Sequence, residues 1–147
     1  MLLAVVAITV HSLGAEPAEI IFLHLKLDAK SITLLDITNR PGLLKSARLE
    51  QKSGPLAYEM RTATGGILKV GHLADPLVQR LEYAVPDGKG TLKTFVVQRE
   101  SAEFTLRLPG YGDARAVHFF RASDNPLQKS SERQLLGVIQ LPEKKSP

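Results

Sequence analysis

The chain has 147 residues, a length that suits one domain built around a single hydrophobic core. Hydrophobic residues make up 44% and charged residues 23% of the sequence, which is ordinary globular usage and argues against a disordered chain or a membrane bundle. The 19 Lys and Arg residues exceed the 15 Asp and Glu residues, but they are scattered, so the net charge of +4 favours solubility and does not indicate nucleic-acid binding. Cysteine is absent, which excludes disulfides, thiolate zinc sites and cysteine nucleophiles.

An uncharged apolar segment opens the chain and ends in small residues at Ala15. This pattern is similar to the apolar stretch and cleavage site of a secretory signal, so residues 1–15 are predicted to be a signal peptide of an exported protein, periplasmic or extracellular. The run is too short to cross a bilayer of about 30 Å as a helix, and no stable membrane anchor is expected. No Lys or Arg precedes it, which leaves an N-terminal core strand as the alternative.

Alternating apolar and polar residues begin soon after Glu16. Residues 20–27 place four aliphatic side chains on one face, which predicts a strand with one buried side. Residues 31–38 start in the same way, but the apolar phase shifts between Leu34 and Leu35, as a β-bulge requires.

Two β-hairpins are predicted next. The first joins 56–61 to 67–72 through a Gly-Gly turn, and the second joins 81–85 to 92–98 through a turn rich in Pro, Asp and Gly. A short stretch, 75–81, is the one place where a single helical turn is expected.

The last third of the sequence predicts three further strands. The four side chains expected in the core are Phe104, Leu106, Val117 and Phe119. Turn residues at 109–113 separate the first two of these strands, and the polar stretch 123–134 reads as a long loop. Residues 135–141 form the closing strand, so the domain is predicted to cover 16–142, followed by a flexible basic tail at 143–147.

Nine or so short strands at intervals of roughly 8 to 12 residues predict an all-β fold, an antiparallel β-sandwich of about 8–10 strands. A five-stranded oligonucleotide-binding barrel would use fewer strands, and a lipocalin-like barrel would use longer ones of even length. Both barrels remain open as alternatives.

Five short elements of the second half share one pattern of strands and turns: Asp75-Pro76, Glu82-Tyr83, Asp87-Gly88, Phe104-Thr105-Leu106-Arg107-Leu108-Pro109 and Phe119-Phe120-Arg121. Together, over about half the chain, they resemble the later strands of immunoglobulin-like accessory domains of secreted bacterial proteins, some of which stand beside peptidases. The cysteine pair and core Trp of antibody domains are missing. The resemblance implies an immunoglobulin-like scaffold, and a scaffold does not fix a function.

Catalytic and metal-binding signatures do not stand out in the sequence. The histidines at 11, 24, 72 and 118 lack any short ligand spacing, so no metal and no cofactor are expected. No Gly-x-Ser-x-Gly elbow occurs, and the aspartates at 75, 87, 113 and 124 fall in turns where a carboxylate caps its own backbone. No catalytic residue is assigned.

Binding surfaces are the remaining route to a function. Tyr58 and Tyr83 alternate with apolar positions and are expected in the core, whereas Tyr111 stands in a glycine-flanked loop with Arg115 four residues later. Tyr and Arg are enriched at interface hot spots, so this pair is the predicted partner-binding site. The alternative is that the Tyr111 ring folds back onto the end of the domain and has a structural role. The sequence thus predicts an exported, non-catalytic accessory module that binds protein. A small secreted enzyme fragment and a carbohydrate-binding module are the alternatives.

Overall fold

The computed structural model describes residues 19–44, 53–86, 89–122 and 133–143. Within these residues the chain is all-β, with nine strands and no helix. The strands are β1 (Glu19–Asp28), β2 (Ile32–Pro41), β3 (Leu56–Thr62), β4 (Ile67–Leu73), β5 (Val78–Ala84), β6 (Leu92–Gln98), β7 (Ser101–Pro109), β8 (Ala114–Ala122) and β9 (Arg133–Gln140). The prediction of an all-β fold with about nine short strands is therefore confirmed.

The strands form three antiparallel sheets. One sheet has the order β2-β1-β7, the second has the order β4-β3-β8-β9, and β5 and β6 form a separate two-stranded hairpin. Both predicted hairpins are present, β3 with β4 and β5 with β6. Gly65 and Gly90 adopt φ angles of 85° and 71° in the two connections, a conformation that glycine adopts without steric cost.

One hydrophobic core joins the two larger sheets in a sandwich-like arrangement. Leu23 and Leu25 of β1 belong to the same buried cluster as Tyr58 of β3 and Phe119 of β8. The predicted inward face of β1 is confirmed, because all four of its aliphatic side chains are buried. The Tyr58 ring lies against the backbone of Gly71 in β4. A Cβ at position 71 would come within 2.4 Å of the ring, so only glycine leaves room for it.

The predicted irregularity in the second strand is also confirmed. The pairing of β1 with β2 shifts between His24, which faces Asp36, and Leu25, which faces Leu34, so Leu35 is the extra residue of a β-bulge. Ile37 returns to the core side, while Leu35 itself is exposed.

Two expectations were wrong, and a third holds only in part. Residues 75–81 do not form a helical turn: a hydrogen bond from the Val78 amide to the Asp75 carbonyl closes a β-turn that leads into β5. Tyr83 is exposed rather than buried, because the hairpin that carries it does not lie over the core. Phe104 is only partly buried and packs against the edge of the core, whereas Leu106, Val117 and Phe119 are buried as expected.

Several predictions concern residues outside the described ranges. These are the signal peptide at 1–15, most of the loop at 123–134 and nearly all of the tail at 143–147. The closing strand is described, and it begins two residues earlier than predicted, at Arg133.

Candidate binding surface

The predicted partner-binding pair lies in the connection between β7 and β8. Tyr111 is 40% exposed, as the prediction requires. Arg115 is partly buried, and its Nη1 donates hydrogen bonds of 2.9 Å to the carbonyl oxygens of Gly112 and Ala114. The guanidinium therefore stabilises its own loop with one nitrogen, which leaves the tyrosine ring as the more accessible half of the pair.

A second group of polar side chains, which sequence reasoning missed, lies on the outer face of the four-stranded sheet. Glu59 is at its centre and is only 2% exposed, although it points away from the core cluster. Its Oε2 accepts hydrogen bonds from Nε of Arg61 at 3.1 Å and from the same guanidinium's Nη2, and its Oε1 accepts one from Nη2 of Arg133 at 2.8 Å. One buried carboxylate thus holds two guanidinium groups in place, one on each side.

Two aromatic rings extend this group along β8. His118 faces Glu59 in the pairing of β3 with β8, and its ring stacks on Phe120 with centroids 6.3 Å apart. The guanidinium of Arg133 lies 4.7 Å from the Phe120 ring centroid, a cation–π contact. Arg133 is thereby fixed both by the carboxylate and by the ring. We call the five residues Glu59, Arg61, His118, Phe120 and Arg133 the arginine cluster.

Electrostatics make the arginine cluster a fixed array of charges at neutral pH. Burial acts to raise the pKa of Glu59, but the hydrogen bonds and charges of Arg61 and Arg133 outweigh it and hold that pKa below its usual range. Burial, together with the nearby charge of Arg61, lowers the pKa of His118, against a smaller opposing effect of Glu59. The cluster therefore holds one carboxylate, two guanidinium groups and a neutral imidazole, and carries a net positive charge.

Aliphatic side chains on the two edge strands border the arginine cluster. Ile67 and Val70 of β4 face Arg61 and Glu59, and Leu135 and Val138 of β9 face Phe120 and His118. All four aliphatic side chains are exposed. The outer face therefore combines partly exposed arginines, with side-chain exposures of 30% and 42%, and apolar groups on both sides, and arginine is a residue enriched at protein–protein interfaces.

The sequence contained only part of the signal for this surface. Glu59 and Arg61 are two apart in a strand, so their sharing a face follows from the period-two pattern. Arg133 is 74 positions away from Glu59, and only the pairing of β3, β8 and β9 brings it to the same carboxylate. No spacing rule connects the two residues.

The β5–β6 hairpin is a second exposed surface. Six large apolar side chains on it are between 39% and 61% exposed: Val78, Leu81, Tyr83, Leu92, Phe95 and Val96. Its base is fixed to the sandwich by the buried Leu77 and by Asp75, whose Oδ2 accepts a 2.7 Å hydrogen bond from Arg121. Beyond these anchoring residues, β5 and β6 form backbone pairs only with each other among the described strands.

The described residues hold neither a metal-ligand cluster nor a membrane-spanning helix. Within them, no three His, Asp or Glu side chains converge as ligands for a metal ion. Likewise, none of the described ranges holds a helix long and apolar enough to cross a membrane.

Comparisons with known proteins give no relative from which a function could be transferred. No family model matches the chain, and neither a curated protein nor a solved structure matches it significantly.

Proposed function

We propose that the mature chain is an exported, non-catalytic immunoglobulin-like β-sandwich that binds another protein through the outer face of its four-stranded sheet. The observation that carries this proposal is the arginine cluster, in which Glu59 fixes two half-exposed guanidinium groups between exposed aliphatic side chains. Preformed charged groups bordered by apolar surface lower the entropic cost of binding, because the side chains are already ordered. Export is supported by the apolar N-terminal segment.

The order of the four-stranded sheet supports the immunoglobulin-like part of the proposal. Its order β4-β3-β8-β9 matches the C′-C-F-G arrangement of that fold, and β7 leads from one sheet into the other as strand E does. The three-stranded sheet departs from the pattern, because its central strand is the first strand, β1, where the fold places its second strand. The fold that we propose is therefore a variant of the immunoglobulin-like sandwich.

The chemistry of the surface indicates the kind of partner. Arg61 and Arg133 retain N–H donors that Glu59 does not occupy, and together with that carboxylate they leave a net positive charge. Val70 and Val138 border them. A partner with one or two carboxylates set in an apolar surface would satisfy both features.

The two alternatives fit this surface less well. Glu59 is a poor general acid, because two guanidinium groups lower its pKa and occupy both of its oxygens. Sugar binding would need an exposed ring with polar neighbours. In the arginine cluster, the Arg133 guanidinium lies over the Phe120 ring, where a sugar would have to stack.

A site-specific photo-crosslinker tests the proposal. We would place it at Val138, beside the arginine cluster, and as a matched control at Thr105, an exposed residue of the other sheet. In the exported fraction of the source cells, the proposal expects a discrete adduct at Val138 and none at Thr105. Mass spectrometry then identifies the adduct, and the purified partner should bind the Arg133→Ala variant at least about tenfold more weakly, as hot-spot truncation does.

The opposite result would refute the proposal. Equal labelling at Val138 and Thr105, or unchanged affinity of the Arg133→Ala variant for the purified partner, would show that the outer face of the four-stranded sheet is not the binding surface.

A further inference from the structure

We propose that the β5–β6 hairpin is a self-association arm, in which β5 pairs antiparallel with β5 of a second copy of this chain. This inference goes beyond the proposed function and is independent of it, since it uses no residue of the arginine cluster. Isolated two-stranded hairpins are at best marginally stable in water, and this one exposes large apolar side chains on both of its faces. Such an arm gains stability when another strand extends its sheet.

Hydrogen bonds at the two ends of the hairpin show which backbone groups of β5 remain for a partner. These bonds run from the Val85 amide to the Thr91 carbonyl at 2.9 Å and from the Arg99 amide to the Leu77 carbonyl at 2.8 Å. In an antiparallel ladder the direction alternates, so Leu81 and Tyr83 direct their N–H and C=O groups toward β6. Arg80, Glu82 and Ala84 direct theirs away from β6, and no other described strand pairs with this edge.

The sequence of β5 is self-complementary about Leu81. When two copies of the strand pair antiparallel with Leu81 facing Leu81, Arg80 faces Glu82 of the second copy, and Glu82 faces its Arg80. Arg80 and Glu82 are the residues whose backbone groups point outward, so this register also forms about six backbone hydrogen bonds between the copies. Side-chain charge and backbone direction therefore select the same pairing.

This register also covers apolar surface. Leu81 faces Phe95 within the hairpin, and joining the two copies at Leu81 places both phenylalanines and both leucines in one stripe across a four-stranded sheet. Strand β6 offers no equivalent arrangement. If it paired with itself about Phe95, Lys93 would face an apolar valine, Val97, and no opposite charges would meet. The edge of β5 is therefore the docking edge, and a second copy is its occupant.

Disulfide trapping tests the register directly, because the chain contains no cysteine. In the proposed pairing, Leu81 and Leu81 of the second copy form a non-hydrogen-bonded pair. Their Cα atoms are then about 4.5 Å apart, a separation that a disulfide can bridge. The Leu81→Cys variant of the full-length chain should form a covalent dimer under mild oxidation. The matched control is Tyr83→Cys on the same face. Tyr83 is 53% exposed against 42% for Leu81, but its Cα atom would lie about 13 Å from the Tyr83 Cα atom of the second copy.

Charge reversal provides a second test that does not use cysteine. Sedimentation velocity of the parent chain should show a concentration-dependent dimer, with a Kd of roughly micromolar for a small edge interface. The R80E variant and the E82R variant each place like charges opposite one another, so each should be monomeric, and the R80E/E82R double variant should dimerise again. R107E on the exposed face of β7 is the control and should behave as the parent does.

The proposal has two decisive contrary outcomes. A parent chain that stays monomeric at about 100 µM, well above the expected Kd, would overturn it. Equal cross-linking of Leu81→Cys and Tyr83→Cys, or a dimer that survives both single charge reversals, would show that the copies associate elsewhere. Neither result bears on the partner of the four-stranded sheet, which the crosslinker at Val138 tests separately.

Discussion

Replacing Glu59 by Gln should destabilise the fold and should do so in a pH-dependent way. Glutamine keeps the shape of the side chain but removes the charge that Arg61 and Arg133 contact. A hydrogen bond to a charged group contributes about 1.5–3 kcal/mol to stability when it is buried. The two guanidinium groups are 30% and 42% exposed, so water replaces part of each interaction, and we take about 1 kcal/mol for each.

The expected loss is therefore about 2 kcal/mol at pH 7, from two interactions of about 1 kcal/mol each. In urea, with a slope of roughly 2 kcal/mol per M for a chain of this size, the unfolding midpoint should fall by about 1 M. Glu103→Gln is the matched control, since its carboxylate forms only an exposed contact of 3.6 Å with His24, and its effect should be less than about 0.5 kcal/mol.

The pH dependence gives the sign of the electrostatic contribution. The folded-state pKa of Glu59 lies below its ordinary value of 4.5, so its charge stabilises the fold fully above that value. The contribution is lost as the pH falls through the lowered folded-state pKa, where Glu59 becomes protonated and resembles glutamine. Urea titrations of both chains should therefore differ at pH 7 and converge in strong acid. A difference that grows as the pH falls, or no difference at pH 7, would refute the reasoning.

Three further predictions concern the core, the N-terminus and the β7–β8 loop. Phe119→Ala should cost about 3–5 kcal/mol in urea unfolding because the ring is fully buried, while Phe104→Ala should cost clearly less, since that ring is partly exposed. Deleting residues 1–15 should change the Tm by no more than about 2 °C if they are a signal peptide, and a larger loss would identify a core strand. The site predicted from sequence at Tyr111 and Arg115 competes with the arginine cluster, so a loss of partner capture of roughly thirtyfold or more in the Tyr111→Ala/Arg115→Ala variant would favour the loop over the sheet face. Unchanged capture with lower stability would assign the pair a structural role.

The fold was largely predictable because its signals are local. Strand β1 alternates so regularly that its buried face follows from the sequence, and the phase shift at Leu35 predicts the position of the bulge. The same rule failed for Tyr83, which alternates with apolar residues although its strand has no core to face. Alternation identifies the sides of a strand, but it does not show whether anything covers them.

The candidate surface was much less predictable, for a related reason. Glu59 alternates with the apolar residues of its strand, a pattern typical of a solvent-facing side chain, and Arg61 two positions later gives no reason to expect burial. Its carboxylate is covered because Arg133 arrives from the last strand and is held over the Phe120 ring. That arrangement depends on the order β3-β8-β9, which is a property of the topology and of no single segment.

The edges of the sheets support the interpretation of the hairpin as an association arm. Natural β proteins discourage unwanted pairing at exposed edges with bulges, prolines and charges. Edge strand β2 has two of these features, the bulge at Leu35 and the terminal Pro41. Strand β5 runs for seven residues with an unbroken register and no proline, and its two charges are placed so that they attract a second copy instead of repelling it. The edge of β2 is therefore protected against pairing, whereas the edge of β5 is suited to pairing with a second copy.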